Sequence, residues 1–145
     1  MTKILKEKLE EKKDKLLEIY NGLKKLQKLS LKEIKDNKEH FWAVNYGLVV
    51  AIEAILDIGQ YILSDKGIKA ESYSKIIPLL VQEKVLPKKY AEKIKGMVNF
   101  RNTAVHAYLG LNENLVYKFL HNDIEDFKNF LKYIQKVKKS QCREW

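Results

Sequence analysis

The sequence predicts an all-α protein, an antiparallel up-and-down four-helix bundle with one or two short extra helices. Apolar residues recur at helical spacing, and no period-two alternation extends over more than a few residues. Only two prolines and six glycines interrupt 145 residues, of which 46% are hydrophobic. This length and apolar content are typical of one core, so residues 1–145 are predicted to form a single helical domain with a frayed tail at about 139–145.

The amino-terminal segment predicts one long helix followed by a short one. Residues 3–28 carry an apolar stripe at helical spacing, made of Leu9, Leu16, Tyr20, Leu23 and Leu26. Ser30 and Glu33 then have capping-box spacing, which predicts a short helical turn. A second start signal of the same kind follows at 36–39.

The most apolar segment, 38–64, predicts the central helix. Its apolar positions are too many for one stripe, which indicates a helix that is central or that also faces a second subunit. Gly47 and Gly59 each cost about 1 kcal/mol relative to Ala within a helix, so we expect neighbouring helices to approach closely there. Glu53 and Asp57 share one face, either as an acidic pair beside an active site or as acids held at the helix rim.

The second half predicts three more helices. Gly67 is a plausible helix C-terminal glycine. Pro78 favours a short helix that starts at 75–77, or one that bends at the proline. Pro87 suits the start of a helix over about 88–108, which Gly110 ends. Asn112 is a suitable N-cap for a last helix over about 113–138.

The charge balance favours a polyanionic partner. The chain has 28 basic and 19 acidic side chains, a formal net charge of +9. Such a surface favours nucleic acid, although a lysine-rich background gives the same balance. Only Arg101 and Arg143 are arginine, so position 101 carries a planar fork that can hold a phosphate or carboxylate.

The composition also predicts a cytoplasmic location. There is no run of about 18 uncharged apolar residues, so we expect no transmembrane span. The first residues are charged, which is unlike a signal peptide. The lone Cys142 cannot form an internal disulfide.

The stretch 99–108 concentrates polar chemistry near a helix end. On a helix of about 100° per residue, Arg101 and Tyr108 lie about 20° apart, and Asn102 and His106 lie about 40° apart. The imidazole of His106 could exchange protons with a ribose hydroxyl while Arg101 binds the phosphate. Asn102 could fix the imidazole tautomer or donate to the phosphate. Two alternatives stay open, since His106 could be a hydrogen-bonded helix-end residue and Arg101 an ion-pair partner of a nearby acid.

Other chemical signals point away from metals and bound nucleotides. No Cys/His cluster has metal-ligand spacing, and no glycine-rich phosphate loop occurs, so we expect no metal or cofactor in this chain. His40 and His121 are predicted to be surface residues.

Because phosphodiester cleavage by histidine usually needs a second histidine, a two-fold homodimer that pairs two motifs is expected.

The segment GMVNFRNTAVHAYLGL resembles the signature of the HEPN superfamily, and more narrowly that of HepT-like toxins, R-x-x-x-x-H-x-Y after Met-Val-x-Phe-Arg-Asn. Arg101, His106 and Tyr108 fall on the three motif positions, and Asn102 on the frequent asparagine. The resemblance extends through AIEAILDIGQYI, SYSKIIPLL, VLP and NLVYKFL, from about residue 40 to 135.

The resemblance implies a metal-independent endoribonuclease toxin of a type VII-like toxin–antitoxin system, dimeric through the motif helices. It implies Arg101 and His106 as catalytic residues and RNA as substrate. It also implies a minimal nucleotidyltransferase antitoxin of the MntA type, which transfers AMP from ATP to Tyr108. The alternatives are a non-catalytic helical partner of a nucleotidyltransferase that binds nucleotide or RNA, and a small helical scaffold with an incidental motif.

Overall fold

The computed structural model describes residues 2–104 and 112–144, with side chains described for 2–102 and 112–136. Within these ranges the chain forms seven helices and no strand. In chain order they are α1 (Lys3–Leu26), α2 (Leu31–Asp36), α3 (Lys38–Asp65), α4 (Tyr73–Gln82), α5 (Lys88–Ala104), α6 (Glu113–Asn122) and α7 (Glu125–Glu144). The prediction of an all-α helical bundle is confirmed.

Side-chain caps define the junctions around α2. The Ser30 hydroxyl accepts from the Glu33 backbone N–H at 3.1 Å, and the Glu33 carboxylate accepts from the Ser30 N–H at 3.2 Å, which completes the predicted capping box. Asn37 then caps α3 by accepting from the Glu39 N–H at 2.9 Å. These caps satisfy backbone donors that a helix start leaves without partners.

Helix α3 is the centre of the bundle. It packs against all six of the other helices, and most extensively against α1. Twelve of its residues are buried. By length and composition α3 could cross a membrane, but half of its most apolar stretch is buried within the bundle, and core helices of soluble proteins meet the same criterion. Burial on several sides accounts for its apolar composition.

Two contacts show that α1 and α3 run antiparallel. Lys12 near the start of α1 pairs with Asp57 near the end of α3, at 3.1 Å. Leu23 near the end of α1 lies against Gly47 near the start of α3. This arrangement follows from the short connection through α2.

The two α3 glycines mark close helix approaches, as predicted. A Cβ added at Gly47 would lie 2.8 Å from Leu23 Cδ2, and one at Gly59 would lie 2.7 Å from Ile76 Cγ2 and 2.9 Å from Leu80 Cδ1. Gly67, with a φ of +74°, follows the end of α3 and confirms the predicted terminating glycine.

Two predicted boundaries are wrong. Helix α4 begins at Tyr73, not at 75–77, so Pro78 lies inside it and only the Ser74 carbonyl loses its helical donor. The predicted last helix is two helices that meet at residues 123–124. Asp123 ends α6 with a non-helical φ of −121° while its backbone N–H donates to the Phe119 carbonyl oxygen at 3.0 Å. The buried apolar stripe of Phe119, Leu120, Ile124 and Phe127 continues across the break.

Candidate active site

The periodicity of α5 brings Arg101 to the edge of the core. Ile94, Met97 and Val98 are buried on the inward face of α5. Arg101 continues this stripe one turn further, so its side chain is only 18% exposed. A half-buried guanidinium loses hydration and needs compensating contacts, which come from α3, α4 and its own helix.

Helix α3 supplies a carboxylate to this arginine. Arg101 Nη2 donates to Glu53 Oε1 at 3.2 Å, and the Glu53 side chain is 41% exposed. Asp57, one turn further along α3, pairs instead with Lys12 at 3.1 Å, and this hydrogen bond raises the pKa of Lys12. Glu53 and Asp57 are therefore held by separate cations and do not form an acidic pair.

Two further contacts orient the guanidinium. Its Cζ lies 4.9 Å from the centroid of the Tyr73 ring, at the start of α4, in a cation–π contact. Its Nη1 donates to Asn102 Oδ1 at 3.3 Å. Arg101 Nε is buried and has no hydrogen-bond partner among the residues that the structure describes. Contacts with Glu53, Tyr73 and Asn102 thus fix the guanidinium on three sides, and these contacts use two of its five N–H donors.

A groove between α4 and α5 continues from this cluster. Its volume is about 380 Å³, and Tyr73 and Asn102 line it as well as contacting Arg101. Tyr73 is 40% exposed, so its aromatic surface is accessible from solvent. The arginine is therefore next to an open, mainly apolar groove, since two of the residues that contact it also line the groove.

The structure brings together part of the predicted site. Arg101 and Asn102 lie in adjacent positions near the end of α5, while His106 and Tyr108 lie outside the described residues. The sequence left two roles for Arg101 open, and the ion pair with Glu53 is now established. The sequence gives no signal for Tyr73, because it lies before the predicted helix start at 75–77 and a lone tyrosine forms no pattern.

The other two histidines are less exposed than predicted. His40 Nδ1 lies 3.3 Å from the Glu33 carbonyl oxygen, and His121 Nε2 lies 3.2 Å from the Leu29 carbonyl oxygen. Both rings are half-buried at helix junctions. They serve the packing of these junctions rather than the arginine cluster.

Fold and site together define a class, that of small helical-bundle proteins in which an arginine suited to an oxyanion lies beside a mainly apolar groove. A family model described as "Ribonuclease HepT-like" matches residues 16–134. The chain belongs to this family.

Two curated relatives are similar over part of their length. The mRNA nuclease HepT of Shewanella oneidensis is 31% identical over 84 residues, which cover 57% of this chain and 63% of the relative. The putative RNase YutE of Bacillus subtilis is 32% identical over 89 residues, which cover 58% of this chain and 59% of the relative. The chain thus spans about three fifths of these relatives.

Solved structures share the fold over nearly the whole chain. A toxin–antitoxin with AMP-PNP superposes with a TM-score of 0.82 at 22% identity, covering 90% of this chain and 98% of that one. The tri-AMPylated HEPN toxin of Shewanella oneidensis, in complex with MNT antitoxin, gives 0.75 at 23% identity over 94% and 99%. YutE, described as a cytosolic protein, gives 0.75 at 22% identity over 91% and 92%. These likenesses confirm the helical fold.

Proposed function

We propose that this chain is a metal-independent endoribonuclease, the toxin of a type VII-like toxin–antitoxin pair. His106 acts as general acid/base, Arg101 binds the scissile phosphate, and Asn102 supports them. The observation that carries the proposal is the Arg101 guanidinium. It is held by Glu53 and by Tyr73, and Tyr73 also lines an open groove, in a member of the HepT-like family.

The chemistry follows from these groups. His106 takes the proton of a ribose 2′-hydroxyl, and the oxygen attacks the adjacent phosphorus. The P–O5′ bond breaks, a 2′,3′-cyclic phosphate forms, and the leaving 5′-oxygen gains a proton. Arg101 stabilises the negative charge that grows on the phosphate oxygens through its planar, always-charged guanidinium. No metal is required for these steps.

We propose a homodimer as the active form, since one chain contributes one His106. Trp42 and Tyr46 support this assembly, because they are 61% and 65% exposed on one face of α3. Glu53 follows on the same helical face, so this aromatic surface leads to the arginine cluster. Large exposed aromatic side chains are typical of protein interfaces. A copy docked there would bring two arginine clusters close together.

We propose Tyr108 as the point of control. A minimal nucleotidyltransferase antitoxin of the MntA type would bind ATP and transfer AMP to the Tyr108 hydroxyl, releasing pyrophosphate. The added phosphate would compete with RNA for Arg101. The related HEPN toxin described as tri-AMPylated in complex with MNT antitoxin supports this proposal.

We further propose that residues 1–145 act as one domain in the cytoplasm, the location given for YutE.

An RNA cleavage assay with purified, antitoxin-free protein tests the proposal. We expect wild-type protein to cut RNA in the presence of EDTA. His106→Ala and Arg101→Ala should each lower the rate by at least about 100-fold, the usual contribution of such groups. Arg101→Lys should restore little, because an ammonium lacks the planar fork. His40→Ala is the matched control and should cleave normally.

The ion pair with Glu53 also favours a second candidate, a non-catalytic binding partner of a nucleotidyltransferase. An arginine that is neutralised by a carboxylate is typical of a structural residue as well as a catalytic one. The same assay separates the two functions. RNA binding without cleavage by wild-type protein, or full cleavage by both alanine variants, would contradict catalysis by this site.

A further inference from the structure

The groove between α4 and α5 offers a built cavity beside the proposed catalytic arginine. Its volume of about 380 Å³ lies at the small end of the roughly 300–1,000 Å³ of ligand pockets. The lining is mainly apolar, and the apolar residues are Ile77, Pro78, Val81, Ala91 and Val98. An apolar cleft of this size accommodates one flat organic group rather than a helix of a partner protein.

The polar residues of the groove indicate the chemistry of that group. Lys88 and Lys95 lie along its α5 side and supply positive charge, with Glu92 between them. Asn102 lies at the end next to Arg101. Because Asn102 Oδ1 already accepts from Arg101, its amide nitrogen is the donor that it offers to a ligand.

Tyr73 connects the groove to the phosphate-binding arginine. Its ring lines the groove and also contacts the Arg101 guanidinium, at 4.9 Å. Aromatic side chains stack on bases, and basic residues beside them follow the nucleic-acid backbone. A ligand in the groove that is joined to a phosphate at Arg101 has the composition of a nucleotide.

We propose that this groove receives the base of the RNA nucleotide that flanks the scissile phosphate, and so gives the enzyme a base preference. The inference rests on the proposed ribonuclease function and deepens it. The apolar residues that line the groove bury the face of the base, Tyr73 contributes aromatic surface, and Asn102 donates to an acceptor on the base edge. The lysines attract the backbone on either side.

Filling the groove tests the proposal. Ala91→Phe and Ser74→Phe place a ring in the groove from its two walls, away from Arg101. Gln82→Phe places the same ring at an exposed position of α4 outside the groove and is the control. On a pool of random-sequence RNA, mapped fragment ends should show a base preference for wild type. Both filled variants should lower kcat/KM for the preferred base by about tenfold, the scale of one stacking interaction, and flatten the preference.

The outcomes distinguish this inference from the ribonuclease proposal. If wild type cuts RNA with no base preference, or if both filled variants retain the base preference of wild type, the groove proposal is wrong and the ribonuclease proposal stands. If wild type cuts no RNA, the groove is tested by binding alone. In that case NMR titration of His106→Ala protein with each of the four ribonucleoside monophosphates should shift Ile77, Ala91 and Val98. No shift at these residues would overturn the proposal.

Discussion

At the scale of single residues, the contacts of Arg101 link α3, α4 and α5. A guanidinium with 18% exposure needs a charged partner, and Glu53 provides it at 3.2 Å. The same carboxylate occupies a position from which it competes with an incoming phosphate. Glu53 therefore both positions the arginine and weakens its attraction for anions.

This dual role predicts the effect of Glu53→Gln. Removal of the carboxylate charge should tighten RNA binding several-fold, because a charge interaction near solvent is worth about 1 kcal/mol. The measurement is fluorescence anisotropy with labelled RNA, in a His106→Ala background that prevents cleavage. Asp57→Asn, which releases Lys12 instead, is the matched control. Weaker binding by Glu53→Gln would show that positioning of Arg101 dominates.

At the scale of helices, close approach and long-range polar contacts hold α3 and α1 in place. Gly59 lets α4 pack against α3 without an intervening Cβ. Tyr20 of α1 donates to Glu125 of α7 at 2.7 Å, and Gln27 donates to the Leu120 carbonyl oxygen at 2.9 Å. The bundle is thus closed by contacts between its first and last helices.

Glycine-to-alanine changes should separate the effect of packing on stability from that of helix propensity. Gly96 is exposed on α5, and among the described residues no atom lies within 4 Å of an added Cβ. Gly96→Ala should therefore stabilise the protein by up to about 1 kcal/mol. Gly59→Ala should destabilise it, because overpacking costs about 1–3 kcal/mol and exceeds the same propensity gain. Urea unfolding measures the free energy of unfolding of both variants. Equal effects of the two changes would contradict a packing role for Gly59.

The Tyr20–Glu125 contact predicts a pH dependence of stability. The Tyr20 hydrogen bond, followed by Lys24, holds the pKa of Glu125 below its ordinary 4.5. A carboxylate with a lowered folded-state pKa adds stability above its unfolded pKa and loses it as pH falls through the folded value. Glu125→Gln should therefore flatten the acid side of the stability profile below about pH 5. Urea unfolding from pH 3 to 7 tests this, with exposed Glu71→Gln as control; an unchanged slope would contradict it.

At the scale of the molecule, the sequence predicted the bundle because its signals are periodic. Helix caps such as Ser30 and Asn37 and the glycines of α3 act locally or through one neighbour, so spacing reveals them. The break at residues 123–124 was hidden because the buried stripe runs through it. For the site, Arg101 and Asn102 were visible as a motif. The contacts of Arg101 with Tyr73 and Glu53 were not visible, because they depend on tertiary packing across 28 and 48 positions.

The proposed homodimer predicts a change of assembly state. Trp42→Ala combined with Tyr46→Ala should give a monomer, because it removes the two large exposed aromatic side chains of α3. RNA cleavage should be lost with the dimer. Light scattering after gel filtration measures the mass, and Ile4→Ala, at a position 67% exposed on α1, is the control. A double variant that stays dimeric would place the interface elsewhere.

The contacts of α1 with the last two helices have a consequence for synthesis. Tyr20 and Gln27 bind residues 105 and 93 positions later in the chain. A ribosome that has made α1 through α5 therefore carries an α1 that can pack on α3 but whose partners in α6 and α7 do not yet exist. At a synthesis rate of about 5–20 residues per second, the nascent bundle stays open for seconds. A protein proposed to cut RNA thus closes its bundle only after its last two helices have been synthesised.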